Sequence, residues 1–422
     1  MIRTIGISNF KLFKDKTNVP LSNLNLLTGV NGKGKSSVLQ ILLLLNQSIN
    51  YSRSTNNIIL NGNNVRLGNL FDVKNRLISS KEPINISFIL DNYVINYQLE
   101  QYGETDIDLK ISSISITINE KLTYIISKII DDDLYKIFKN NEDVFPNITF
   151  SLDNLFIPES TLRIIDESYL IEIRNLLNFS NIHYVSADRI GPQNFYERKS
   201  LGNFVSVGSL GENTVNILAR KGGDPVQPEL KKVYMDLFSP TEDELTSDTI
   251  ESYANYWLDK IFEGAEIKTE VMSDIDIIKF SIKPSKKDVF YKPTNVGYGF
   301  SYSLPILVAG LIAKKGDILI IENPEAHLHP YAQSILSKFL AGVSRVGVQV
   351  LVESHSEHIL DGFRIIVHDK IIDLNEINIL YFDKNDETYF HKIDIKDDGD
   401  IENWPTNFFD QSTNDLNYLY GI

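Results

Sequence analysis

The chain of 422 residues contains no cysteine, which excludes a disulfide scaffold, a thiolate zinc site and a cysteine nucleophile. No apolar run approaches the roughly 18 residues that a membrane-spanning helix needs. The opening MIRTIGISNFKLF alternates like a strand and lacks the apolar block of a signal peptide, so a cytoplasmic location with no membrane partner is the expectation. Positive charge is in deficit: 41 Lys and Arg stand against 56 Asp and Glu, for a formal net charge of −15. That balance disfavours indiscriminate binding to nucleic acid, whose affinity comes largely from phosphate neutralisation. A local basic groove for nucleic acid remains open, built from Lys283, Lys286 and Lys287, or from Arg189, Arg198 and Lys199. Internal repeats and low-complexity tracts are absent as well. What is present, 42% hydrophobic and 23% charged residues, is ordinary for a soluble globular protein.

Hydrophobic periodicity divides the chain into five stretches. Residues 1–96 read as strands around one helix, SVLQILLLLNQSI, with a hairpin turning at Asp91-Asn92. Residues 97–181 read as an inserted arm or lid: one strand, ISSISITIN, then two amphipathic helices, LTYIISKIIDDDLYKIFK and TLRIIDESYLIEIRNLLN. Residues 182–200 supply a core strand and loop, and 201–269 a second helical insertion. Residues 270–422 alternate helix and strand and close with a hairpin whose turn is Asn385-Asp386.

LTGVNGKGKSSVLQ (27–40) satisfies the pattern G-x-x-x-x-G-K-S/T between a strand and a helix, the setting this phosphate-binding motif requires. Backbone N–H groups around Gly29, Asn31, Gly32, Lys33, Gly34 and Ser37 surround the β-phosphate, where larger side chains block the approach. Lys35 sets a point charge against the β- and γ-phosphates. The Ser36 hydroxyl ligates Mg²⁺, and the helix N-terminus adds partial positive charge. The second half of such a site is a carboxylate at the end of a neighbouring buried strand. DILIIENPEAHLHP (317–330) offers Glu322 after four apolar residues, a run that fits a strand covered on both faces. VQVLVESH ends in Ser354 and His355, and the imidazole of His355 is placed to sense the γ-phosphate or the attacking water. Upstream, NVGYGFS brings Gly299 and Ser301 to the start of another helix, a second anion-binding helix start.

In this order the motifs resemble an ABC-type ATPase head of the SMC, RecF and OLD kind. Further phrases fit the same likeness: ISNFKLF, LNGNNVRLGNLFD, YVSADRIGPQ, VGSLGENT and DGDIENWPTNFFD. Together they are similar to bacterial AAA-family ATPases that end in a short domain of unknown function, relatives of which serve as ATPase subunits of Septu-type and retron-associated antiphage systems. The resemblance implies an α/β P-loop head with a largely parallel sheet, a mixed N-terminal β lobe and an inserted helical region. It implies ATP and Mg²⁺, with GVNGKGKSS as Walker A, ILIIENPE as Walker B, GYGFS as the signature and His355 as the switch. It further implies a homodimer or higher oligomer, in which the N–H groups after Gly299 and the Ser301 hydroxyl of one subunit cap the γ-phosphate bound by another. A separate effector protein, a nuclease or other enzyme, is implied as well.

Two departures qualify the likeness. The position commonly held by a catalytic glutamate, directly after Glu322, is Asn323, and an amide cannot act as a general base. Either Glu325 activates the water or hydrolysis is slow. The 67 residues after His355 leave no room for the nuclease domain of OLD proteins. Three function classes follow: a slow ATPase acting as a nucleotide-gated switch; a non-hydrolysing dimerisation scaffold or DNA-maintenance module; and a self-contained nuclease, the weakest. A metal cluster of His327, His329, His355 and His358 is a further reading, and it needs three or four of these in good geometry.

Overall fold

The structure is a computed structural model that describes every residue except 53, 80, 104–105, 130–132, 178, 242–243, 384–387 and 422. Its contacts divide the chain into two compact units. The first holds Met1–Ser22 and Asn31–Ile182 with a short return from the C-terminal hairpin. Its sheet runs in the order Thr17–Pro20, Thr4–Ser8, Ile84–Leu90, Tyr93–Glu100, Leu109–Ile118, Leu122–Lys128 and Tyr135–Lys139. Every neighbour in that order is antiparallel. The period of two is visible in Tyr93, Ile95, Tyr97 and Leu99, all buried from one strand. The Asp91-Asn92 turn is as expected, with Leu90 opposite Tyr93.

Two expectations for 97–181 are corrected. The boundary at 96/97 falls inside the strand Tyr93–Glu100, whose partner Leu109–Ile118 extends the same sheet, so this part of the chain is no separate insertion. LTYIISKIIDDDLYKIFK, expected as a helix, forms the strands Leu122–Lys128 and Tyr135–Lys139. Tyr124 and Ile126 bury on one face, as do Tyr135 and Ile137, so pleat alternation with cross-strand partners wins over a loose helical period in an isoleucine-rich run. The second expected helix is present as two, Glu159–Ile165 and Ser168–Leu176. The helix Lys35–Tyr51 buries Val38, Leu39, Leu42 and Leu45.

The second unit holds Asn23–Val30, His183–Asp383 and Phe390–Ile422. Its main sheet runs Ile182–Val185, Ile318–Glu322, Gln349–Glu353, Leu24–Gly29, Ile377–Phe382 and His391–Ile393. The pairings from Ile318–Glu322 through Ile377–Phe382 are parallel and the last is antiparallel. The uninterrupted buried runs Leu319–Ile321 and Val350–Val352 are what a parallel sheet with both faces covered requires. The helices Thr214–Lys221, Pro228–Phe238 and Ile250–Phe262 pack into this unit's core. Trp257 lies 5.3 Å from both Tyr234 and Phe339, so the helices of the expected second insertion are part of this unit's core. The C-terminal hairpin pairs Tyr381 with His391, while its expected turn, Asn385-Asp386, lies outside the described residues. Among the described residues no helix is long and apolar enough to cross a membrane.

Candidate active site

Parallel register fixes which residues leave the second unit's sheet together. Glu322 stands opposite Glu353, Glu353 opposite Leu27, and Gly29 opposite Phe382. The phosphate loop therefore starts from the same carboxyl edge that carries Glu322, the edge where ligands lie in such sheets. Gly29 has φ +118°, and a Cβ there would come within 2.3 Å of the Phe382 carbonyl, so only glycine fits. His355, with Thr28, Gly29, Val30 and Tyr381, lines a cavity of about 190 Å³ at this edge.

Glu322 is half-buried and accepts hydrogen bonds from the Ala187 N–H at 3.3 Å and from the Tyr184 hydroxyl. Burial pushes its carboxyl above the ordinary range, and those two donors temper the rise. The turn after it is tied down from several sides. The Asn323 N–H donates to the Glu353 carbonyl at 2.8 Å, and the Asn323 carbonyl accepts from Arg189 Nη2 at 2.5 Å. Glu325 accepts from the Ser354 hydroxyl and from the His355 N–H, both at 2.9 Å. The turn after the strand Ile318–Glu322 and the Ser354–His355 segment are thereby locked to each other through one carboxylate.

Arg189 is the residue that sequence reasoning placed wrongly. It is 3% exposed, its guanidinium lies 5.3 Å over the Tyr302 ring, and burial lowers its pKa to about 10. It joins the helix Tyr298–Ile312 to the turn at Asn323 and belongs to no basic groove. Three of the other groove candidates are paired on the surface: Arg198 with Asp276, Lys199 with Glu197, Lys283 with Glu266. The signal was the phrase YVSADRIGPQ, for which sequence offered no chemistry.

Asn323 has φ +45°, a left-handed conformation that asparagine tolerates better than most residues. This gives a conformational reason for the missing glutamate. Asn323→Glu is expected to destabilise the fold by about 1 kcal/mol while raising turnover or leaving it unchanged. Urea unfolding beside a phosphate-release assay measures both, and a variant as stable as the parent contradicts the conformational account.

On the first unit, the helix Lys35–Tyr51 starts from Gly34 at φ +111°, with no side-chain cap. Gly32 is left-handed too, and a Cβ there would meet nothing within 4 Å. At Gly34 a Cβ would come within 2.9 Å of Leu12 and Phe13, which shows what ISNFKLF does: it walls the loop. Lys35 and Ser37 are buried, Lys33 and Ser36 are half-buried, and Asn31 and Gly32 are exposed. Left-handed glycines, a helix start without a cap, an amine and a hydroxyl form a donor set that suits a polyphosphate with its divalent cation.

The signature residues are placed otherwise than expected. The helix Tyr298–Ile312 begins at Gly297, which is exposed, as is Tyr298. Gly299 is buried, and a Cβ on it would sit 2.8 Å from the His327 carbonyl. Ser301 is only 9% exposed, so its hydroxyl does not reach the surface to cap a partner's phosphate. The histidines of the proposed cluster have separate tasks: His329 caps the helix Pro330–Arg345, and His327 packs against Tyr298 and Tyr302.

A family model described as an AAA ATPase domain matches residues 1–360, and one described as a protein of unknown function, DUF3696, matches 372–419. No curated protein matches the sequence. Solved structures with similarity include an SMC head bound to the C-terminal winged-helix domain of ScpA, at 13% identity and TM-score 0.43, covering 94% of this chain and 98% of that one. The SMC head domain from Thermotoga maritima gives 10% identity and TM-score 0.39, covering 94% and 99%. The Smc head with an extended coiled coil, bound to the C-terminal domain of ScpA from Pyrococcus furiosus, gives 13% and 0.44, covering 99% of each.

Proposed function

Because the chain belongs to the AAA ATPase domain family, we propose that it binds Mg-ATP through Gly29–Ser37, hydrolyses it slowly, and works as a nucleotide-gated switch. In this reading two copies close head to tail and act with a separate effector protein in bacterial antiphage defence. The observation that carries the nucleotide reading is the shared sheet edge of Gly29 and Glu322. Lys35 would face the β- and γ-phosphates, and Ser36 and Glu322 would hold Mg²⁺. The metal would neutralise charge on the phosphate oxygens during transfer. Glu325 orients the attacking water and takes its proton, and His355 senses the γ-phosphate. The defence role and the effector rest on the sequence resemblance alone.

Turnover is expected below about 1 s⁻¹, under the range of roughly 1–100 s⁻¹ common for kinases. Glu325→Gln keeps an acceptor for the His355 N–H but cannot take a proton. It is expected to slow phosphate release at least tenfold at unchanged ATP affinity. Wild-type turnover in that variant would remove Glu325 from the base role. Turnover absent from the parent chain, with ATP still bound, would favour the dimerisation scaffold instead.

A further inference from the structure

The C-terminal phrase WPTNFFD (404–410) has no task in the ATPase reading, yet it reaches the sheet edge from which the phosphate loop starts. Asn407 and Phe409 complete the lining of the cavity of about 190 Å³ shared by Gly29, Val30 and His355. All five residues belong to the second unit. Strand order explains the meeting. Tyr381 stands opposite Thr28 in the parallel pair of Leu24–Gly29 with Ile377–Phe382, and its hydroxyl donates to the Asn407 carbonyl at 3.0 Å. The next carbonyl on that strand, of Phe382, accepts the Val30 N–H at 3.0 Å. One strand thus holds both the start of the phosphate loop and the C-terminal turn. Phe408 anchors the turn from inside: it is fully buried, 5.1 Å from the Tyr381 ring and 5.2 Å from Trp404, whose indole N–H donates to the Phe408 carbonyl.

The two residues that line the cavity are both left-handed, Asn407 at φ +64° and Phe409 at φ +54°. Asparagine tolerates that conformation, but a residue as bulky as phenylalanine is an outlier there. Such strain persists only where the surrounding structure imposes it, and it clusters at ligand sites. The backbone of Asn407 is already engaged, its N–H by the Asp410 carboxylate at 3.0 Å and its carbonyl by Tyr381. The polar group it has left to offer is its carboxamide, on a residue that is exposed. The cavity is smaller than the roughly 300–1,000 Å³ of sites that enclose a whole small molecule. At about 30 Å³ per water of the liquid, it has room for one phosphoryl group and a few waters.

We infer, resting on the ATP reading above in which His355 senses the γ-phosphate, that the C-terminal turn is part of the nucleotide site. The Asn407 carboxamide donates to a γ-phosphate oxygen, and Phe409 shields that bond from water. The turn thereby distinguishes a nucleoside triphosphate from a diphosphate. Glycine suits both left-handed positions, so Asn407→Gly and Phe409→Gly delete the side chains and leave the turn its conformation. Calorimetry on the full chain with Mg²⁺ compares the non-hydrolysable analogue AMP-PNP with ADP. Each variant is expected to weaken AMP-PNP at least about threefold, as for one modest hydrogen bond. ADP affinity is expected to stay unchanged, because only the γ-phosphate reaches the cavity, and that unchanged value also reports an intact fold. Asn407→Asp keeps the size of the side chain but sets a carboxylate against the phosphate, so it is expected to weaken AMP-PNP further than Asn407→Gly does. A residue that only supported the loop would show no such ordering. Equal losses for AMP-PNP and ADP, unchanged AMP-PNP binding in Asn407→Gly, or parental affinity in Asn407→Asp would each overturn the inference and leave the ATP reading standing. A parent chain that bound neither nucleotide would overturn that reading, and this inference with it.

Discussion

Lys35→Ala is expected to weaken Mg-ATP binding at least tenfold, which is about 1.4 kcal/mol. The side chain opens the helix Lys35–Tyr51 and is 3% exposed, so its ammonium is held in a low-dielectric setting where a phosphate contact gains more than it would in water. Alanine removes the point charge and leaves the left-handed Gly32 and Gly34 loop and the helix N–H groups as they are. The loss therefore reports the charge and not the cradle. Titration calorimetry of the purified chain measures it, with Lys35→Met as a control that keeps most of the buried volume and lacks the charge. Unchanged affinity in both variants would overturn the assignment of the phosphate loop.

Gly297→Glu is expected to abolish turnover and ATP-driven dimerisation while leaving the ATP affinity of a single chain unchanged. Sequence alone pointed to Ser301 for this test, but Ser301 is buried, and an arginine there would test folding instead. Gly297 is exposed at the helix start. Its φ of −61° suits any L-residue, and an added Cβ meets nothing within 4 Å. A carboxylate at a helix N-terminus is favourable for the helix itself. What it opposes is a second anion, the γ-phosphate that a head-to-tail partner would bring to this end, and two-fold symmetry repeats the repulsion at both sites. Light scattering in the Glu325→Gln background, with Mg-ATP against Mg-ADP, reads the dimer, and phosphate release in the wild-type background reads turnover. Normal turnover in Gly297→Glu would mean that the site is complete within one chain.

The parts legible in the sequence were those whose chemistry is contiguous. The phosphate loop is one such part: its left-handed glycines, its lysine and its serine follow one another along the chain, and no distant residue is needed to recognise them. Another is the buried run before Glu322, since a strand covered on both faces must be apolar throughout. The signature helix was legible as a helix, though not in which of its residues face out.

Tertiary structure decided whatever depends on residues far apart. Strand pairing turned 122–139 from an expected helix into two strands, because an isoleucine-rich run takes its conformation from the neighbours it packs against. Arg189 lies 134 positions from Asn323, and only the strand order makes their hydrogen bond. Glu325 and the Ser354–His355 segment meet for the same reason, across the parallel pairing of Ile318–Glu322 with Gln349–Glu353. The left-handed turn at Asn323 and the burial of Ser301 were likewise invisible beforehand. A residue's type states which bonds it can make, while its burial and its partners are properties of the packed chain, fixed by surfaces that sequence spacing does not bring together.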